Sequence, residues 1–350
     1  MLRDTAAKSV RGGPATASEA AAAASTPPAI AHLVTPSSPP RRRRPYHRAS
    51  TGRERRRPTS VPPMLFGAHV SSSGGISRAI DRAHAMGCDA VQVFTQSPRM
   101  WRPTLHSAEE VARFRARRVE TGIGAVVCHA LYLVNLATAD RELRAKSVTA
   151  LEASLDAART IGAEAVILHV GSHLGAGVAA GLRHTAPALR HLLDHTDEHT
   201  WLLLENAAGQ GATIGRTTDE LARLIDLLDG HPRLGVCLDS CHWWVSGVDV
   251  TDPDLLDEAV CEVEARIGLD RVRCLHVNDA AAPLGANRDR HASIGAGLMG
   301  RGLGTFLSHP AFQGLPAILE TPGPEGQGPD AAELRALRAL HRAGLKRRSR

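Results

Sequence analysis

The chain has 350 residues, enough for one large barrel or two ordinary domains, and its net charge of +6 is unevenly placed: residues 1–63 hold twelve Lys and Arg against three acids, a local +9 that leaves −3 for the rest. A mildly acidic body does not suit a polyanionic partner unless metal ions supply the missing positive charge, and three divalent cations would add six. No apolar run approaches the roughly 20 residues needed to span a bilayer and no secretory signal precedes the body, so no membrane association and a cytoplasmic location are expected.

Residues 1–63 are rich in Ala, Ser, Pro and Arg, contain one aromatic residue, Tyr46, and lack a sustained apolar period, the composition of a disordered extension. The runs Arg41–Arg44 and Arg53–Arg57 repel themselves and stay solvated. A nucleic-acid-binding tail and a transit peptide both fit this composition. The favoured reading is a true start at Met64, because the ordered pattern begins at once with Met64-Leu65-Phe66-Gly67.

From there, apolar runs predict eight strands near 65–69, 90–94, 124–129, 164–169, 201–205, 234–239, 271–277 and 316–320, with helical segments between them. Ser107 with Glu110 and Thr217 with Glu220 form capping boxes, and Asp252-Pro253 offers an N-cap followed by proline in the first turn. Strand then helix, eight times over, is the rhythm of an α/β (β/α)8 TIM barrel, here spanning 64–345 with a basic tail at 346–350. An open doubly wound sheet is the competing fold.

Six of the runs end on a residue able to bind metal: AVVCH on His129, AVILH on His169, LLLE on Glu205, GVCLD on Asp239, VRCLH on His276 and AILE on Glu320. A closed parallel barrel gathers the carboxyl ends of its strands around one mouth, so these six should converge. His242, Asp289 and His291, in loops, raise the candidate ligands to nine, five imidazoles and four carboxylates. Ligands on six consecutive strands favour the closed ring over the open sheet. Zinc takes nitrogen and oxygen ligands about four at a time, whereas Ca²⁺ and Mg²⁺ prefer all-oxygen shells. Nine ligands, one of them bridging, suit three metals better than one or two.

A lone strand-end histidine is more often a hydrogen-bonded core residue than a ligand, but nine placed together have no such bland explanation. None of the six cysteines forms a C-x-x-C pair, and reduced buried thiols are expected. Cys128, Cys237 and Cys274 lie near proposed ligands, and strand alternation is expected to turn all three from the mouth. His184, His191, His195 and His199 are read as lining a solvated helix and its exit, His173 as orienting a loop neighbour, and Trp243 and Trp244 as packing residues. Gly295–Gly300 fits G-x-G-x-x-G, but a polar loop rather than a strand precedes it, which argues against a nucleotide cofactor.

Eight strings in the body together resemble the endonuclease IV family, also called deoxyribonuclease IV. They are GAHVSSSGG (67–75), FTQSPRMW (94–101), HVGSHLG (169–175), LENAAGQG (204–211), GVCLDSCH (235–242), LHVNDA (275–280), NRDRHASIGAG (287–297) and ILET (318–321). The resemblance covers Met64 to about Leu345 and includes all nine candidate ligands; HALYLVNL (129–136) departs somewhat from commoner versions of its segment.

The resemblance implies a zinc-dependent DNA-repair endonuclease that cuts the phosphodiester 5′ to abasic sites in double-stranded DNA, leaving 3′-hydroxyl and 5′-deoxyribose phosphate ends. It implies three Zn²⁺ per chain. His129, His169 and Glu205 would hold the first, and Glu205 would bridge to a second held by Asp239, His276 and Glu320. His242, Asp289 and His291 would hold the third. Glu205 and Glu320 take the catalytic roles, Glu320 orienting or deprotonating the attacking water. Arg99 and Tyr132 match residues inserted into the DNA at the lesion, and His69 lies near the DNA backbone. A monomer is expected. Two other functions compete. A sugar isomerase or epimerase on the same barrel would leave His242, Asp289 and His291 surplus, and a silent DNA-damage binder should lack a ligand.

Overall fold

The computed structural model describes residues 63–194 and 196–350. The extension expected over 1–63 lies outside the described residues apart from Pro63, and so does His195.

Eight parallel strands close into a barrel: β1 (Leu65–His69), β2 (Ala90–Phe94), β3 (Ala125–His129), β4 (Ala165–Leu168), β5 (Trp201–Glu205), β6 (Leu234–Asp239), β7 (Val272–His276) and β10 (Pro316–Leu319). Neighbours follow chain order around the ring, and β10 closes it against both β7 and β1. Helices lie between successive strands, among them α1 (Ser77–Met86), α2 (Ala108–Thr121), α3 (Arg141–Ile161), α4 (Val178–Asp194) and α5 (Thr218–Leu227). The expected TIM barrel is the fold, and the open sheet is excluded by its closure.

The strand period of two divides the apolar residues into two layers. Ala90, Ala125, Val127, Ala165, Ile167, Leu203, Cys237, Cys274 and Ile318 pack together inside the ring. Their chain neighbours, such as Val91, Val126, Val166, Leu204, Leu238 and Leu275, turn outward into the larger core shared with the helices. The interior admits little bulk near β1. A Cβ on Gly67 would lie 2.2 Å from the Ala90 carbonyl oxygen and 2.8 Å from Ile318.

The helix signals hold in part. Ser107 and Thr217 accept from the backbone N–H three residues on, and Asp252 caps α7 (Pro253–Arg266). The matching glutamates go elsewhere: Glu110 accepts from Ser77, and Glu220 accepts from Gly215 and Arg216. Between β7 and β10 the chain adds a two-stranded antiparallel ribbon, β8 (Asp279–Ala280) with β9 (His291–Ala292), which the sequence pattern did not predict. The short α6 (Ser240–Ser246) starts directly from the end of β6.

Candidate metal centre

The residue before each strand-end ligand is an anchor. Cys128, Leu168, Leu204, Leu238, Leu275 and Leu319 are at most 1% exposed and belong to the outer core. Each buried leucine contributes about 1.5–3 kcal/mol of burial free energy, enough to fix where the next side chain begins. The next residue then faces the barrel axis, so His129, His169, Glu205, Asp239, His276 and Glu320 all rise from one ring. His169 and Glu320 each follow the last residue of their strand.

Glu205, fully buried, sits at the centre. Its Oε2 lies 3.3 Å from His129 Nε2 and 3.5 Å from His169 Nε2, while its Oε1 lies 2.9 Å from His276 Nδ1 and 3.3 Å from His242 Nδ1. The potential ligand atoms of His129, His169 and Glu205 are all within 4.8 Å of one another. So are those of Glu205, Asp239, His276 and Glu320, and those of Asp239, His242 and His291. Asp289 adjoins the last group, with Oδ2 3.4 Å from His242 Nε2 and Oδ1 3.2 Å from His291 Nε2. The nine candidates thus lie around one mouth, and in the third cluster it is Asp239 that groups with His242 and His291, with Asp289 beside them.

The loop that supplies Asp289 and His291 is held from below by Asp279. This buried carboxylate accepts from the backbone N–H of Gly295 at 3.0 Å, Gly297 at 3.2 Å, Met299 at 3.0 Å and Gly300 at 3.2 Å. A Cβ on Gly297 would come within 2.4 Å of the carboxylate oxygen, so glycine is needed there. The G-x-G-x-x-G string is a nest for an internal anion. Asp279 also pairs with Ala292 across the ribbon, which sets the register of His291.

Three amides escaped the sequence reading. Gln92, on β2 and 0% exposed, contacts His69, Glu320 and His276. Asn206 accepts from the Asp239 N–H, and its own carbonyl oxygen lies 2.8 Å from His242 Nδ1. Asn278 donates to Asp239 Oδ2 at 2.6 Å and accepts from the Glu320 N–H at 2.8 Å. The signal was available. A polar residue inside an apolar run such as AVQVF is costly to bury without partners.

One expectation is corrected. Cys128 does turn outward, but Cys237 and Cys274 stand two residues before Asp239 and His276, and a period of two puts them on the same face. Both line the barrel interior just beneath the ligands, with sulfur atoms within 4.8 Å of a His276 ring nitrogen. Burial pushes both the Cys128 and Cys237 thiols well above their ordinary range, so they stay protonated.

Electrostatics explain why so many ionisable groups can share one buried space. Burial alone would raise the pKa of Glu205, but His169, His276, His129 and His242 hold it well below the usual carboxylate range. Glu320 is depressed for the same reason, against its burial, chiefly by His276. Asp289 is held down to about 2, against its burial, by the neighbouring His242 imidazole. Conversely, His276 is raised to about 10: burial opposes the charge, but Glu320 and Glu205 outweigh it. His69 and His169 are lowered, mainly by burial.

The donor set fits metal ions. Among the described residues, His242 Nε2 and His291 Nε2 are buried with no well-aligned hydrogen bond, only the Asp289 oxygens at 3.4 and 3.2 Å, and nitrogens left so cost about 1–3 kcal/mol each unless something binds them. The buried carboxyl groups of Glu205 and Asp239 favour positive charge close by, which a bound cation supplies. Mixed nitrogen and oxygen donors suit zinc or a similar transition metal better than calcium or magnesium.

Above the ligands opens a recess of about 380 Å³ lined by His129, Tyr132, His169, His242, Asp289, Arg290, His291, Glu320 and Pro322. Tyr132 is 60% exposed at its rim, its ring edge-on to Phe94 at 5.2 Å. Arg99 is exposed in the loop after β2, and its charge opposes the burial that lifts the Tyr132 phenol to about 12. His69 ends β1 with its ring 4.4 Å from Phe94. A larger cavity of about 840 Å³ lies near the start of β1, lined by residues such as Met64, Phe66 and Leu345, away from the ligand cluster.

The other histidines and the tryptophans keep modest roles. His173 accepts from the Gly177 N–H, and His191 faces Glu152 on the helical surface. Trp243 is buried against Phe306, and the Trp244 indole donates to the Ala282 carbonyl.

Residues 80–342 match a family model described as a xylose isomerase-like TIM barrel. A probable endonuclease 4 from Chloroflexus aggregans is 41% identical over 79% of this chain and 98% of its own length. The crystal structure of endonuclease IV from Thermus thermophilus superposes with a TM-score of 0.70 and 37% identity, covering 80% of this chain and 99% of that one. A D-tagatose 3-epimerase-like protein shares the fold alone, with a TM-score of 0.62 and 18% identity, covering 81% of this chain and 97% of that one. The chain belongs to the endonuclease IV family, enzymes of DNA repair.

Proposed function

We propose that the chain hydrolyses the phosphodiester on the 5′ side of abasic sites in double-stranded DNA, leaving a 3′-hydroxyl and a 5′-deoxyribose phosphate. The observation that carries this reading is the third ligand group. His242 and His291, which cluster with Asp239 and have Asp289 beside them, add donors beyond the two groups that share Glu205. A sugar epimerase on this barrel has no use for them. A silent DNA-damage binder should lack a ligand, and all nine candidates are present in the sequence.

His129, His169 and Glu205 would hold one Zn²⁺, and Glu205, Asp239, His276 and Glu320 a second. His242, Asp289 and His291 would hold a third, with Asp239 within reach. Bound zinc supplies Lewis acidity, neutralising phosphate oxygens and bringing the pKa of an attacking water near 7. Glu205, with one oxygen toward each of two groups, keeps their separation short. Glu320 holds a carboxylate at the edge of the recess, where it can orient a water and take its proton. Asp279 and the amides of Gly295–Gly300 fix the loop bearing Asp289 and His291, so those side chains do not have to be ordered when substrate arrives.

For recognition, Tyr132 at the rim of the recess and the exposed Arg99 would fill the gap left by an extruded abasic sugar, and His69 would lie near the DNA backbone. An abasic nucleotide has already lost its base stacking, so extrusion costs less than for an intact one. A monomer suffices for this arrangement, since every proposed group comes from one chain.

The test is incubation of the purified, zinc-loaded protein with a duplex carrying one abasic analogue. Incision on the 5′ side with a 3′ end that a polymerase extends is expected. Incision on the 3′ side, or none while a sugar is epimerised, would overturn the proposal.

A further inference from the structure

The buried glutamine on β2 has a role that neither the motifs nor the ligand count supply. Resting on the reading of this centre as a metal site, we propose that Gln92 is a positioning residue for the group formed by Glu205, Asp239, His276 and Glu320, and that it ties this group to His69.

Gln92 follows Ala90 by two residues and therefore faces the barrel axis, in register with His69 of β1 and Val127 of β3. It is 0% exposed, so each of its polar atoms must find a partner within the protein. A carboxamide has one oxygen and two N–H donors, and all three are used. Oε1 lies 2.8 Å from His276 Nε2. Nε2 donates to Glu320 Oε1 and lies 2.8 Å from His69 Nδ1. The contact to a carboxylate fixes which end of the amide is nitrogen, so the oxygen must face His276.

An oxygen acceptor requires a proton on His276 Nε2. When a cation displaces the second proton of His276, the neutral imidazole keeps only this N–H and its lone pair is on Nδ1. That nitrogen is the one lying 2.9 Å from Glu205 Oε1 and 3.1 Å from Glu320 Oε2, inside the ligand group. Gln92 thus selects the tautomer able to bind a cation among those carboxylates, and its N–H holds Glu320 in place from the same side. Outer hydrogen bonds of this kind typically alter metal affinity about 10–100-fold. The second N–H, given to His69 Nδ1, leaves the proton of that imidazole on Nε2, so one side chain sets the tautomers of both a ligand and His69.

Gln92→Met keeps length and approximate volume but removes the acceptor and both donors. Zinc-loaded protein would be titrated with a competing chelator, counting metal per chain by mass spectrometry and following activity separately. The variant should release one metal about 10–100-fold more readily than the unsubstituted protein and hold the others equally well. Chelated forms of the two should share one circular dichroism spectrum, although the variant should melt lower because His276 Nε2 loses its buried partner, so metal release is compared between folded proteins. Gln92→Glu keeps an acceptor toward His276 and should retain that metal better than Gln92→Met. Imidazole nitrogen NMR of the unsubstituted, zinc-loaded protein provides a measurement that needs no variant: His276 should carry its proton on Nε2. Equal metal retention in Gln92→Met, or a His276 proton on Nδ1, would overturn the proposal. An unsubstituted protein that takes up no zinc would instead sink the metal reading on which it rests.

Discussion

Glu205 contributes both oxygens to the centre, one toward His129 and His169 and one toward His276 and His242. Glu205→Gln removes the charge while keeping the shape, so it should lower cleavage about 1000-fold or more, some 4 kcal/mol of barrier, with an unchanged circular dichroism spectrum. Cleavage within tenfold of the unsubstituted protein would remove Glu205 from its bridging role. The same side chains set a pH response in the metal-free protein. His276, raised from 6.5 to about 10, contributes stability that is full below pH 6.5 and lost as the pH rises through its folded value. Asp289, lowered from 3.8 to about 2, contributes above pH 3.8 and loses that contribution as the pH falls through its folded value. His69 and His169, lowered by burial, likewise favour the folded state as the pH rises to 6.5. The chelated protein should therefore melt highest at about pH 6–7 and progressively lower toward about pH 10. Zinc-loaded protein should lack the alkaline decline, because cations replace the protons. Thermal melts of both forms across that range check the sign.

At the scale of elements, strand ends and loops play separable parts. The six strand-end ligands are anchored by the buried residues behind them, whereas Asp289 and His291 hang on the ribbon of β8 and β9 and the Asp279 nest. His291→Ala should lose one metal and keep the other two, measured as metal per chain, while loss of all three would show that the groups are not independent. This division also explains what the sequence made legible. Runs such as AVILH and GVCLD announce both a buried strand and the residue that leaves it, so fold and strand-end ligands could be read together. The ribbon could not, because two residues carry no period. Cys237 and Cys274 were misplaced by looking one position away from a ligand instead of two. Gln92, Asn206 and Asn278 act through partners far away in sequence, and only the closed ring brings those partners within reach.

For the whole molecule, the uneven charge remains the feature to test. Metal ions in the mouth would turn a mildly acidic body toward phosphate without help from residues 1–63. If so, a chain starting at Met64 and the full chain should show equal slopes of DNA affinity against salt. A markedly shallower slope for the shorter chain would give the twelve basic residues a role in binding. Mass spectrometry of the native N-terminus checks the proposed start at Met64.

We propose nine side chains of a single barrel mouth as the ligands of three metal ions. Anomalous diffraction from crystals of the purified protein, recorded on either side of the zinc edge, tests this most directly. Three peaks are expected: one among His129, His169 and Glu205, one among Glu205, Asp239, His276 and Glu320, and one among His242, Asp289 and His291. A single peak, or none at His242, Asp289 and His291 in fully metal-loaded crystals, would contradict it.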